Sequence, residues 1–197
     1  MRIRAILATA VVALAALTLT AAPASAEARP VTPVASVDLT RYQGTWLQLA
    51  SVPQPFQAQC ARNDRANYTL LPSGQVKVIN SCTRADGAVF ALEGRARSAV
   101  PGSTSQLEVS FANIGGEWNF DNPGTYWVIG LDRHYRWAVV GDPTRGSGFV
   151  LSRTATPTPA QIAGIATTLL RNGYDLCAFR ITAQDGGAPR PIDLCTR

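Results

Sequence analysis

Tyr42-Gln43-Gly44-Thr45-Trp46 and, much further on, Leu151-Ser152-Arg153-Thr154 bracket the part of the chain that decides the fold. Between them lie short β-like runs, and after them comes a single helix signal. Gly44 lets the chain turn tightly into the first strand, because a residue without Cβ meets no clash there. Trp46 is large enough to plug one end of a small barrel. An arginine on the last strand can lie over the indole face and gain about 0.5–2 kcal/mol. Gly44, Trp46 and Arg153 therefore read as structural residues of a sealed end, which leaves the opposite end for a pocket.

Outward from Trp46, residues 45–52 form the first strand, stopped by Pro53 and Pro55, which cannot donate to a ladder. A loop over 53–64 follows. Strands over 67–71 and 75–80 flank Pro72-Ser73-Gly74, and Asp86-Gly87 leads into a strand over 89–97. In 106–112, Leu107, Val109 and Phe111 alternate with Gln106, Glu108 and Ser110, so one face is buried and the other wet. A second long loop, 113–124, is rich in glycine, asparagine and aromatic residues. Strands over 125–131, 135–141 and 149–154 bring the total to eight. The expected fold is all-β: an eight-stranded antiparallel up-and-down barrel, wide enough to hold one small ligand and free of exposed edges.

The helix is expected over about 159–172, packed outside the barrel. Thr158 can cap it, Pro159 suits its first position, and Gln161 completes a capping box. Ile162, Ile165, Ala166, Leu169 and Leu170 are assigned to one face, and Gly173 to the stop. A last strand over about 176–182 precedes a Gly/Pro-rich tail, 185–197.

At the other terminus, Arg2 and Arg4 precede an apolar stretch that ends in Ala24-Ser25-Ala26, the form of a signal peptide, 1–26, cleaved near Ala26. The expected product is secreted, extracellular or periplasmic. It begins with a flexible leader, 27–37, and one domain over 38–184. The leader peptide carries two arginines and no acid, so its loss takes the formal charge from +5 to +3. Lys77 is the only lysine, and no basic cluster tracks phosphates, so nucleic acid is not an expected partner.

Cys60, Cys82, Cys177 and Cys195 form an even set in an exported chain, which reads as two disulfides. Three pairings are open. Cys60–Cys82 with Cys177–Cys195 is preferred because each closes a short local loop. With no C-x-x-C pair and one histidine, His134, neither a metal nor any other cofactor is expected.

The chain as a whole resembles the lipocalins, in the branch of bacterial lipocalins and apolipoprotein D. The resemblance rests on Gly44-Thr45-Trp46, on Tyr126-Trp127-Val128-Ile129-Gly130-Leu131-Asp132 with the run through Tyr135 to Pro143, and on Leu151-Ser152-Arg153-Thr154, in that order from about 38 to 184. It implies a calyx that carries a small hydrophobic molecule. It also raises a second pairing, Cys60–Cys195 with Cys82–Cys177, since that branch joins its second strand to its tail. The lipidation cysteine of the bacterial members is lacking after Ala26.

For ligand contact the candidates are Phe56, Trp118 and Phe120 in the long loops, with Tyr68, Phe111, Tyr126, Trp127 and Trp137 on strands. Parity is open: either Tyr126 and Val128 or Trp127 and Ile129 face inward. A buried phenol needs a hydrogen bond, which makes Tyr68 and Tyr126 candidates for a polar ligand group. Arg95, Arg97 or Arg136 could meet an acidic head if it points inward. Serine catalysis needs a base, and the single histidine sits in a turn with no nucleophile elbow nearby. A monomeric carrier of a fatty acid or lysophospholipid is expected, not an enzyme, with peripheral membrane contact left open. The alternatives are a carrier of pigment, haem or a secondary metabolite, and a calyx-based enzyme such as an isomerase.

Overall fold

The computed structural model describes residues 30–121 and 123–196, so the signal-like segment 1–26 lies outside the described residues. A single helical turn, α1 (Leu39–Tyr42), is capped by the Asp38 carboxylate and leads into β1 (Gly44–Ser51). β2 (Arg62–Leu70), β3 (Val76–Thr83), β4 (Val89–Ser98) and β5 (Gln106–Ser110) follow as an antiparallel meander. β6 (Asn113–Ile114) and β7 (Glu117–Trp118) make a separate small hairpin. The meander resumes with β8 (Gly124–Leu131), β9 (Trp137–Gly141) and β10 (Gly148–Ser152). β10 then pairs with β1, so among the described residues eight strands close the barrel.

β2 starts earlier than the loop expected over 53–64 allows. Its first turn of sequence, Arg62-Asn63-Asp64, carries no apolar alternation to reveal it. Asn63 takes a left-handed backbone (φ 60°) at an irregularity in the pairing with β3. Its side chain, held by Thr83 and Asp185, makes that conformation affordable.

Two layers of apolar side chains build the molecule. Inside the barrel, Trp46, Ala66, Val78, Val128, Ala138, Val140 and Leu151 form one cluster. Outside, Ile129, Val139 and Val150 meet Ile165 and Leu169 of α2 (Pro159–Arg171). α2 begins with the Thr158–Gln161 capping box and ends before Gly173, whose φ of 72° suits a helix stop. Leu170, assigned to the buried face by its spacing, is exposed. The step of about 100° per residue turns it away from the Ile165 and Leu169 stripe.

Two further segments differ from expectation. Residues 30–37 are not a loose leader: Val31 and Val37 are buried, Val34 N donates to Val128 O, and Val37 N to Thr104 Oγ1. Three valines spaced every three residues, Val31, Val34 and Val37, dock it against the barrel wall. The expected strand over 176–182 is instead a 3-10 turn, Leu176–Ala178, then a two-residue strand, β11 (Arg180–Ile181), on the upper half of β1. The Asp175 carboxylate accepts from Cys177 N and turns the chain before a strand can start.

The disulfides are Cys60–Cys82 and Cys177–Cys195. The first ties the loop before β2 to β3, and the second ties the tail to the turn after α2. The pairing suggested by the apolipoprotein D branch is not formed.

Candidate functional site

One end of the barrel is sealed. Arg153 lies 3.8 Å above the centre of the Trp46 ring and donates to the carbonyls of Thr45, Gln43 and Arg41 at 2.8, 2.9 and 3.1 Å. Trp46 Nε1 donates to Tyr42 O at 2.8 Å. Gly44, with a φ of 86°, brings β1 beneath the guanidinium. Gly44, Trp46 and Arg153 hold the first and last strands together and lie outside the cavity lining.

Above this seal is a cavity of about 1100 Å³ that opens at the opposite end of the barrel. Its floor is three tyrosines. Tyr126 Oη lies 2.9 Å from Tyr42 Oη and 3.0 Å from Tyr68 Oη, with Tyr42 and Tyr68 buried. Burial drives all three phenols up, Tyr68 to about 12, so the floor stays protonated and uncharged at neutral pH. Valines and leucines of β3 and β5 form the walls, among them Val78, Leu107 and Val109. Phe56, Phe90, Leu92 and Phe111 stand higher, Phe56 being 59% exposed at the opening.

A polar cluster interrupts the upper wall. Gln57, from the turn over the opening, donates to Gln48 Oε1 at 2.9 Å and to Asp64 Oδ1 at 3.0 Å. Gln184 Nε2 donates to the carbonyls of Gln48 and Asp64 and fills the gap where β1 leaves β2 for β11. Burial raises the Asp64 carboxyl, and the hydrogen bond from Gln57 only partly opposes it. Arg84 also lines the cavity, 5.0 Å from the centre of the Phe90 ring, and is in no ion pair among the described residues. Arg65, one residue from the inward Ala66 and paired with Leu47, turns its side chain to the outer face. Cys60, Asp64 and Cys82 cluster closely, but the disulfide leaves no thiolate there to bind a metal.

Of the expected contact residues, the structure brings Phe56, Tyr68, Phe111 and Tyr126 to the cavity. It does not bring Trp118, Trp127 or Trp137. On β8 the inward parity is Tyr126 and Val128, so Trp127 packs outside, and Trp137 lies against α2 beside Gly164. The β6–β7 hairpin folds down the outer wall. There Trp118 meets Arg95 at 5.0 Å and Phe120 meets Arg97 at 4.1 Å, so these aromatics cap outward arginines and leave the opening uncovered. Arg136 is taken by Asp132, whose carboxyl its hydrogen bonds hold down at about 2. Sequence reasoning missed Tyr42, Gln48, Gln57 and Asp64. Tyr42 falls in a helical turn before the first strand, and the amides and Asp64 lie where a bulge and a 3-10 turn break the alternation that would have flagged them.

A barrel of this topology, closed by an arginine over a tryptophan and followed by one outer helix, defines a calyx-type binding protein. The family described as "Lipocalin-like domain" matches residues 37–184, and the chain belongs to the lipocalins. Temperature-induced lipocalin-1 of Arabidopsis thaliana is 32% identical over 157 residues, covering 79% of this chain and 84% of the plant protein. Outer membrane lipoprotein Blc of Escherichia coli K12 is 33% identical over 159 residues, covering 80% and 85%. Among solved structures, insecticyanin from the tobacco hornworm Manduca sexta superposes with a TM-score of 0.63 at 17% identity, over 83% of this chain and 89% of that one, a likeness of fold.

Proposed function

We propose that this lipocalin is an exported carrier of a fatty acid or lysophospholipid. The acyl chain lies along the apolar wall, and the acidic head sits near Arg84. The observation that carries the reading is a deep apolar cavity with one arginine, Arg84, at its upper wall that has no carboxylate partner among the described residues. Its volume of about 1100 Å³ lies just above the roughly 300–1,000 Å³ common for small-molecule sites, room enough for a folded or long chain. Acyl burial drives binding at about 25 cal/mol per Å² before ordering costs. Two disulfides and the signal-like residues 1–26 support an oxidising, extracytoplasmic location.

Calorimetric titration with lauric, palmitic and oleic acids and with lysophosphatidylcholine is expected to give saturable one-to-one binding. Arg84→Gln weakens the acids about 5-fold, the scale of an exposed ion pair, and leaves their methyl esters unchanged. Absence of binding at every chain length removes the reading.

A further inference from the structure

The tyrosine floor carries one more hydrogen-bond donor than it can use. Each phenol has a single proton, so Tyr42, Tyr68 and Tyr126 bring three protons to the cluster. The trio is linked by two O···O contacts, 2.9 and 3.0 Å, both to Tyr126 Oη. Each contact consumes one proton, whichever atom donates it. The third has no protein acceptor among the described residues, and Tyr42 and Tyr68 are only 5% and 8% exposed. Tyr126 is only partly buried, and all three rings line the cavity, so the spare donor is reached from the cavity side.

The trio is also chosen for neutrality. Burial keeps the three phenols protonated, so the floor offers hydroxyl donors and lone-pair acceptors but no charge. An ionised carboxylate brought here would lose its hydration and gain no cation. Arg153 lies beyond the floor with its nitrogens already committed to backbone carbonyls. A neutral oxygen suits the position: it accepts the spare proton, and a hydroxyl can also donate in return.

We infer that the floor is a subsite for a neutral oxygen group, hydroxyl or oxo, at the buried end of the ligand, so that the preferred ligand is an acyl chain polar at both ends. This rests on the proposed acyl-carrier reading, with the acidic head toward Arg84. Tyr68 lies four residues below Asp64 on β2, so floor and upper wall stand roughly 13 Å apart at about 3.3 Å per residue. One chain can span both.

The test compares ω-hydroxypalmitic with palmitic acid, and ω-hydroxylauric with lauric acid, by calorimetry. In the native protein the hydroxylated member of at least one pair binds about 5-fold more tightly, the worth of one net hydrogen bond. Replacing all three hydroxyls at once, with Tyr42→Phe, Tyr68→Phe and Tyr126→Phe, keeps the shape and leaves no orphaned partner. That variant loses the preference, the ratio of affinities within each pair falling to about one whatever the absolute affinity for the plain acid. The comparison in the native protein stands without any variant. Plain acids that bind as well as or better than their hydroxylated partners at both lengths overturn the subsite and leave the carrier reading intact. A preference that survives in a folded triple variant likewise places the polar group elsewhere.

Discussion

Asp64 is a carboxylate buried in the polar patch of the upper wall, with amides for company and no ion pair among the described residues. Burial raises its folded-state value above the ordinary 3.8, so the charged form weakens the fold at neutral pH. As the pH falls the native protein takes up this proton before the unfolded chain does, and below about 4 both are protonated and the penalty is gone. Asp64→Asn, which keeps an oxygen for Gln57, is therefore expected to raise the urea midpoint at pH 7. The gain shrinks as the pH is lowered toward 4, and a gain independent of pH counts against this account. Trp46 and Arg153 were legible in the sequence because their chemistry is bulk and charge at fixed distance from two strand ends. Asp64 was not, since one acid among Arg62, Asn63 and Arg65 looks like any wet surface.

Helix α2 lies unusually close to the barrel where β8 bulges between Val128 and Gly130. A Cβ on Gly130 would stand 2.4 Å from Thr168 Cγ2, and Thr168 is itself fixed by a 2.9 Å bond to Gly164 O. Gly130→Ala is expected to destabilise by about 1–3 kcal/mol, the usual range for overpacking. Adding Thr168→Ala should recover most of it, read as the coupling in a double-mutant cycle of denaturation midpoints; additive effects would mean that the helix had simply moved away. The helix itself was readable to within a residue, since Thr158, Pro159, Gln161 and Gly173 are punctuation with local causes. Periodicity reported that β8 and β9 alternate but not which parity turns inward, because α2 makes the outer face as apolar as the lumen. That is why parity stayed open and Trp127 and Trp137 stood among the contact candidates beside Tyr126, although both lie on the outer face. The β6–β7 hairpin misled for a related reason: its aromatics looked like a cover for the opening, and the arginines that draw them down the outer wall belong to a distant strand.

At the scale of the whole molecule, the chain divides its barrel into a locked end and a furnished end. Cys60–Cys82 restrains the turn that carries Phe56 and Gln57, and the C-terminal segment wedges Gln184 between β1 and β2, so the polar wall depends on residues far apart in sequence. This arrangement also fixes the optical behaviour of the protein. All four tryptophans lie off the cavity lining, so direct indole excitation will follow unfolding and stay nearly silent when a ligand enters. The tyrosine floor is the chromophore that a ligand touches, and the Tyr42 ring centre lies 4.8 Å from that of Trp46. Occupancy should appear as a change in Trp46 emission fed by tyrosine absorption, which makes the sealed end the reporter for events at the other side of its own floor.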